Sequence, residues 1–130
     1  MMQIRPYNKG DEHGILKLDQ MVEEHPWNRR NLQNWNWKYR GDNPAGESLV
    51  WVAENLGEVV ATFSVMPMNY YVEGKEVRGS HSIAMIVHPD WQNRGLIKFV
   101  AENVLRTTEE EGIPFTYGYP NDNAYALHIK

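Results

Sequence analysis

Gln92-Asn93-Arg94-Gly95-Leu96-Ile97 joins an apolar run, Ile83-Ala84-Met85-Ile86-Val87, to a segment of helical spacing. A loop that opens a helix has the chemistry of an anion site. The first backbone N–H groups of a helix have no intrahelical partner, and the helix dipole adds partial positive charge at that end. A phosphate satisfies both. Gly95 lets main chain approach a ligand closely, and Arg94 supplies a permanent cation. A strand–turn–helix crossover that binds nothing has the same outline, and spacing alone does not separate the two.

The elements that must hold this loop are readable from periodicity. Ile97, Val100, Ala101, Val104 and Leu105 fall at i, i+3, i+4, i+7 and i+8 and predict one apolar stripe on a helix, with Phe99 left on the polar side. Gly112 is a left-handed stop, with Pro114 beyond it. Upstream, Met2 to Tyr7 reads as a first strand with Ile4 inward, and Ile15, Leu18 and Val22 mark a first helix with Asp11 at its start. His25-Pro26 breaks it, and a second helix carries Leu32, Trp35 and Tyr39. Leu49 to Ala53 is strand-like, Asn55-Leu56-Gly57 turns the chain, and Val59 to Tyr71 makes a long strand. Pro67 predicts a bulge or an edge within it. Glu73-Gly74 is a hairpin turn, Val77 to Val87 a fourth strand, Phe115 to Tyr119 a fifth, and a last helix begins at Asn121.

Composition bounds the function. A chain of 130 residues with 42% apolar content suits one domain with a core. A net charge of −4 argues against general nucleic-acid binding, but an anionic cofactor responds to the local loop rather than the total. There is no cysteine, so disulfides and thiolate metal sites are excluded, and a reducing cytoplasmic setting is compatible with that. The five histidines lack the tight spacing of a metal centre. No apolar run reaches the roughly 20 residues of a membrane helix.

The central segment resembles the signature of the GNAT superfamily of N-acyltransferases, a hydrophobic strand followed by V-x-P and then Q/R-x-x-G-x-G/A. Val87-His88-Pro89 and Gln92-Asn93-Arg94-Gly95 match, while Ile97 stands where the pattern has a small residue. A later block, Asn121-Asp122-Asn123-Ala124, fits the family's Asn-x-x-Ala/Ser. His128 then takes the position of the family's tyrosine and Lys130 that of its basic residue. Tyr117 to Asn121, Trp35 to Tyr39 and Asn43-Pro44 look most like a polysaccharide-associated or uncharacterised subgroup. The resemblance implies an α/β (α+β) fold in the order β-α-α-β-β-β-α-β-α, a mixed, mostly antiparallel sheet with helices on both faces. It also implies two further strands after Lys130, so the reading expects a single domain spanning 1–130 and truncated in its last helix, or one completed by a partner chain.

What the resemblance implies chemically is direct acyl transfer from acetyl-coenzyme A to a primary amine on a small molecule or peptide. Met85, Ile86 and Val87 would offer main-chain groups to the pantetheine arm. Gln92, Asn93, Arg94, Gly95, Leu96 and Ile97 would wrap the pyrophosphate, and Asn121 would touch the cofactor. The amine must lose a proton, since a lysine-like ammonium has a pKa near ~10.4. The oxyanion needs a donor, and the leaving thiolate benefits from one. His128 is the candidate donor and His81 the candidate base, although a bulge would re-aim His81 from its nominal parity with Ile83, Met85 and Val87. His88 reads as an exposed turn residue, and Glu54 and Glu58 as solvated. Trp27, Trp35 and Trp37 form either an aromatic wall over the acceptor or glue between helices and sheet. A non-catalytic coenzyme A-binding or interaction module on the same fold, and pairing with a second copy, stay open. Ile97 is expected to point toward the sheet, because it begins the apolar stripe.

Overall fold

The computed structural model describes residues 2–22, 39, 41 and 43–117. Five strands form one sheet in the order β1-β2-β3-β4-β5. These are β1 (Met2–Pro6), β2 (Leu49–Asn55), β3 (Glu58–Val72), β4 (Lys75–Val87) and β5 (Thr116–Tyr117). Neighbours are antiparallel from β1 to β4, and β4 and β5 are parallel. Two helices, α1 (Asp11–Val22) and α2 (Leu96–Glu110), accompany them, with a short 3-10 turn at Pro89–Trp91. The mixed, mostly antiparallel sheet is the architecture expected. Of the second predicted helix only Tyr39 lies among the described residues, and the last predicted helix lies outside them.

Both hairpins close through two-residue turns whose central residues have positive φ: Leu56 at 51° with Gly57 at 80°, and Glu73 at 50° with Gly74 at 79°. That is the type I′ turn, which matches the twist of the flanking strands. Pro67 sits beyond the reach of β2, whose last partner on β3 is Val65. A register shift also lies between Ser64 and Val65. The proline therefore has both an edge and a neighbouring bulge, and Asn43 Nδ2 donates to its carbonyl at 2.8 Å.

The sheet separates two cores. On one face Ala61, Phe63 and Val65 meet Ile97, Val100 and Val104 of α2. On the other, Val50, Val52, Val59 and Ile86 meet Ile15 and Leu18 of α1, together with Tyr39. Each such aliphatic side chain contributes roughly 1.5–3 kcal/mol on leaving water. The stripe on α2 is narrower than its spacing predicts, because Thr108 is buried while Leu105 is exposed with Phe99. The sheet face meets Leu96, Ile97, Val100, Val104 and Thr108, with Ala101 packed beside them. The helix stops as expected: Gly112 has φ 73°, its N–H bonds Glu109 O at 3.0 Å, and Ile113 N–H reaches back to Thr108 O at 2.9 Å.

A charged knot fixes β1, β2 and the start of α1. Arg5 Nη1 donates to Asp11 Oδ2 at 2.6 Å and Arg5 Nη2 to Glu54 Oε2 at 2.5 Å. Glu54 is thus paired across the sheet rather than solvated. Burial works against the Asp11 carboxylate, but the Arg5 hydrogen bond, the Asn8 amide and the charge of Arg5 outweigh it and hold Asp11 below the usual carboxylate range. Burial likewise opposes ionisation of Glu12, and hydrogen bonds from the Tyr7 hydroxyl and the Gly10 amide prevail. A carboxyl whose folded pKa is depressed adds stability that is complete above its unfolded value, near ~4, and is lost as pH falls through the folded value. Denaturant unfolding should therefore show stability declining as pH drops below about 4. Asp11→Asn should cost about 2 kcal/mol at neutral pH and flatten that acid limb. Equal acid slopes in the two proteins would contradict this account.

Candidate active site

The site is built where β4 runs out. In an antiparallel ladder, residues alternate between bonding the partner strand and facing away from it. His88 N–H donates to Val60 O at 2.8 Å, and Ile86 lies opposite Thr62. The alternation then turns the N–H and C=O of Ile86 toward β3 and those of Met85 and Val87 toward the other edge. Met85 and Val87 thus turn their main-chain groups away from β3, the Val87 carbonyl accepting from Gln92 Nε2, while Ile86 is committed to β3 and its side chain to the α1 core. On that other edge β5 reaches only Ser80 and His81. Ser80 anchors it with its N–H on Phe115 O at 3.0 Å and its hydroxyl 2.6 Å from that of Thr116. From Ser82 to Val87 no described strand pairs with the second edge of β4, and the Val87 carbonyl accepts instead from the Gln92 side chain at 3.1 Å.

The loop after β4 is held by its own side chains. His88 Nδ1 accepts from Asp90 N–H at 3.1 Å, and Trp91 N–H closes onto His88 O at 2.8 Å. The His88 side chain is only 16% exposed, with Glu58 3.8 Å from its Nε2. It is therefore a half-buried staple of the turn and not the exposed residue the sequence suggested. Gln92 Nε2 donates to Val87 O at 3.1 Å, folding the loop back over the strand end. The Arg94 guanidinium lies 5.1 Å from the centre of the Trp91 ring, which itself packs against the α2-face core. That stacking fixes the cation without using up its donors.

The helix starts bare. Gly95, at φ 74° and ψ 4°, is its N-cap, and no side chain caps it. Asn93 before it also has positive φ, at 63°. The amides from Asn93 to Ile97 meet no acceptor among the described residues. A Cβ at Gly95 would meet nothing within 4 Å, so this glycine is required by its φ and stands in open space. Ile97 is buried among sheet residues and leaves the helix mouth clear.

The remaining candidates separate. The register shift at Ser64/Val65 opposes Ile83 with no β3 partner, and parity breaks there. Ile83 packs on the α1 face, whereas Met85 and Val87 pack on the α2 face. His81, opposite Met66 and Tyr117, falls on the α1 face with Ile83. Asn121, His128 and the tryptophans at 27, 35 and 37 lie outside the described residues. A cleft of about 300 Å3 opens between α1 and the β2–β3 turn, lined by Gly14, Lys17, Leu18 and Val59 among others, and no residue from 85 to 97 borders it. Sequence reasoning missed the Trp91 platform and the His88 staple. Their signals were an aromatic three residues before the cation and a ring nitrogen two residues before a helical amide.

The family model described as an acetyltransferase (GNAT) domain matches residues 3–127. The chain belongs to the GNAT acetyltransferase family. Its fold is shared with solved structures of low sequence identity. An acetyltransferase of Trypanosoma brucei superposes with a TM-score of 0.75 at 18% identity, covering 98% of this chain and 89% of that one. Glucosamine-6-phosphate N-acetyltransferase from Arabidopsis thaliana gives 0.75 at 16%, covering 98% and 88%. AAC(6')-Iy, in complex with the bisubstrate analog CoA-S-monomethyl-acetylneamine, gives 0.73 at 17%, covering 99% and 86%. No curated protein matches the chain in sequence. The GNAT family carries out acyl transfer, and this chain is a transferase of that kind. Among the described residues no helix is long and apolar enough to cross a membrane.

Two variants test the loop geometry. Gly95→Ala should lose roughly 1–2 kcal/mol in denaturant unfolding through its left-handed φ alone, since the added methyl meets no atom. Gln92→Ala should lose about 1 kcal/mol, the value of its bond to Val87 O. A neutral Gly95→Ala would mean that the N-cap is not left-handed in solution.

Proposed function

We propose that this chain moves an acetyl group from acetyl-coenzyme A directly onto a primary amine of a small molecule or peptide. The observation that carries the reading is one juxtaposition. A bare helix start from Asn93 to Ile97 stands beside a β4 edge whose Met85 and Val87 groups face away from β3. The amides of the helix start, with Arg94 held over Trp91, suit a diphosphate. The open edge suits an amide-bearing arm that extends the sheet by one more strand, as peptide-like ligands do. The neighbour solved with a coenzyme A bisubstrate analog supports the same donor.

In this reading the neutral amine nitrogen attacks the thioester carbonyl. An outward N–H of Met85 or Val87 receives the developing oxyanion. The C–S bond then breaks, and the coenzyme A thiolate takes up a proton. His81 is our candidate to accept the amine proton. Four residues of strand separate it from Met85, about 13 Å, so the proton would pass through ordered water. His128 is the candidate donor to the thiolate. Asn121, Gln92 and Leu96 complete the proposed cofactor contacts.

Calorimetric titration with acetyl-coenzyme A tests the donor, and thiol release with a panel of amines tests transfer. We expect saturable binding, with Arg94→Ala weakening it about tenfold, the value of one charge-assisted hydrogen bond. The rate should rise with pH as a lysine-like amine deprotonates. Absence of heat at millimolar ligand would overturn the reading. Binding without thiol release would leave a coenzyme A-binding module.

A further inference from the structure

The turn that leads from β4 toward α2 is capped by a histidine. His88, at φ −53° and ψ 138°, is the N-cap of Pro89–Trp91, and its Nδ1 accepts the Asp90 N–H at 3.1 Å. Ser, Thr, Asp and Asn are the residues usually found at such a position, because a short side-chain oxygen accepts an amide two residues on. None of them changes its accepting role near neutral pH. A histidine nitrogen does, since once protonated it can only donate. Histidine is also the side chain whose charge changes between pH 5 and 8.

The geometry fixes which nitrogen is bare. Nδ1 accepts, so the neutral ring carries its proton on Nε2. Nε2 lies 3.8 Å from Oε1 of Glu58, the first residue of β3. The other acid beside the ring is Asp90, whose Oδ2 lies 3.9 Å from Nδ1. Among the described residues the charged groups in ion-pair range of the ring are thus both acids, one on β3 and one on the turn, and both favour its charged form. Arg94, the next cation along the chain, lies over Trp91. A proton taken up at Nδ1 sets two N–H groups against each other at the Asp90 amide. The ring then exchanges that amide for the Asp90 carboxylate, and the turn loses its side-chain cap.

That loss has a path to the anion loop. Trp91 follows Asp90 directly and is the platform under the Arg94 guanidinium. Gln92 comes next and ties the loop to Val87 O. None of the three turn residues is buried, so hydrogen bonds carry much of the turn's order.

We propose that His88 is a positioning residue for the donor's diphosphate, effective while its Nδ1 is bare, and that protonation of the ring releases the loop and weakens its hold on the donor. The proposal rests on the loop being the acetyl-coenzyme A site. His88 touches no reacting atom and acts through Asp90 and Trp91.

One test needs no ligand. Nitrogen magnetic resonance of the free chain should show the His88 ring with Nε2–H and a bare Nδ1 at about pH 8, and the Asp90 and Trp91 amides should shift with the same midpoint as the ring on acidification. Amides that stay still while the ring titrates would overturn the proposal. The second test is calorimetric titration with coenzyme A. His88→Asn keeps an oxygen acceptor at the cap and carries no proton, and titration of the ligand's own phosphates is common to both proteins. The unmodified chain should match His88→Asn at about pH 8 and bind about fivefold more weakly than it at about pH 5.5, the value of one hydrogen bond. His88→Ala, with no acceptor, should be about fivefold weaker than His88→Asn at both. Glu58→Gln removes a carboxylate that favours the charged ring, so the loss should move to lower pH. Equal pH dependence in the unmodified chain and His88→Asn would overturn the proposal, as would undiminished binding by His88→Ala. Heat from none of the proteins would count against the donor reading, and the resonance measurement would then decide this proposal by itself.

Discussion

A β-strand has two hydrogen-bonding edges, and the structure turns on β4 using one fully and the other only in part. β3 takes the first edge along the whole length of β4. β5 takes the second at Ser80 and His81. From there to Val87 the alternating ladder leaves outward groups at Met85 and Val87. An exposed strand edge is normally a liability. Here it ends in a loop whose residues close over the strand, and the helix beyond begins without a cap. Two backbone features without a main-chain partner among the described residues, the outward N–H groups of Met85 and Val87 and a helix start, adjoin through ten residues of chain. That is the shape of a long ligand with an amide-bearing stem and an anionic head.

The rest of the fold keeps that juxtaposition rigid. Ile97, Val100 and Val104 bind α2 to the sheet, so its first turn cannot swing away from the strand it follows. Arg78 donates from Nε to Ala45 O at 2.7 Å and from Nη1 to Glu111 O at 3.2 Å. It thereby ties the far end of the same helix to the 43–48 loop. Gly14 allows α1 to approach β3 so closely that a Cβ would sit 2.8 Å from Val59 Cγ2. Gly79 does the same for the Phe115 ring, which would otherwise strike a Cβ at 2.3 Å. Phe115 leads directly into β5, so that glycine helps set where the second edge of β4 begins to be covered.

Much of this was legible in the sequence. Strand alternation, helical spacing and the glycines at 57, 74, 95 and 112 gave the elements and their stops, because those signals are local. Ile97 was legible too, since it starts the apolar stripe of α2. What was not legible depended on distant neighbours. The nominal parity of His81 with Met85 and Val87 is broken by a bulge at Ile83, an event the sequence allowed but could not place. Glu54 was read as solvated because its partner, Arg5, is 49 residues away. His88 was read as exposed because nothing in a turn sequence announces that its ring will fold back to accept from the Asp90 amide and lie beside Glu58, a residue from the distant β2–β3 hairpin. Leu105 kept the helical period but is exposed, outside both cores.

Amide-resolved magnetic resonance of the isotope-labelled chain during titration with coenzyme A tests the central claim most directly. The account predicts that the amides of Met85, Val87 and Arg94 to Ile97 shift together and saturate at one ligand concentration, while that of Ile86, bonded within the sheet, moves little. Shifts confined to the cleft beside α1, or an unchanged spectrum at saturating ligand, would contradict it.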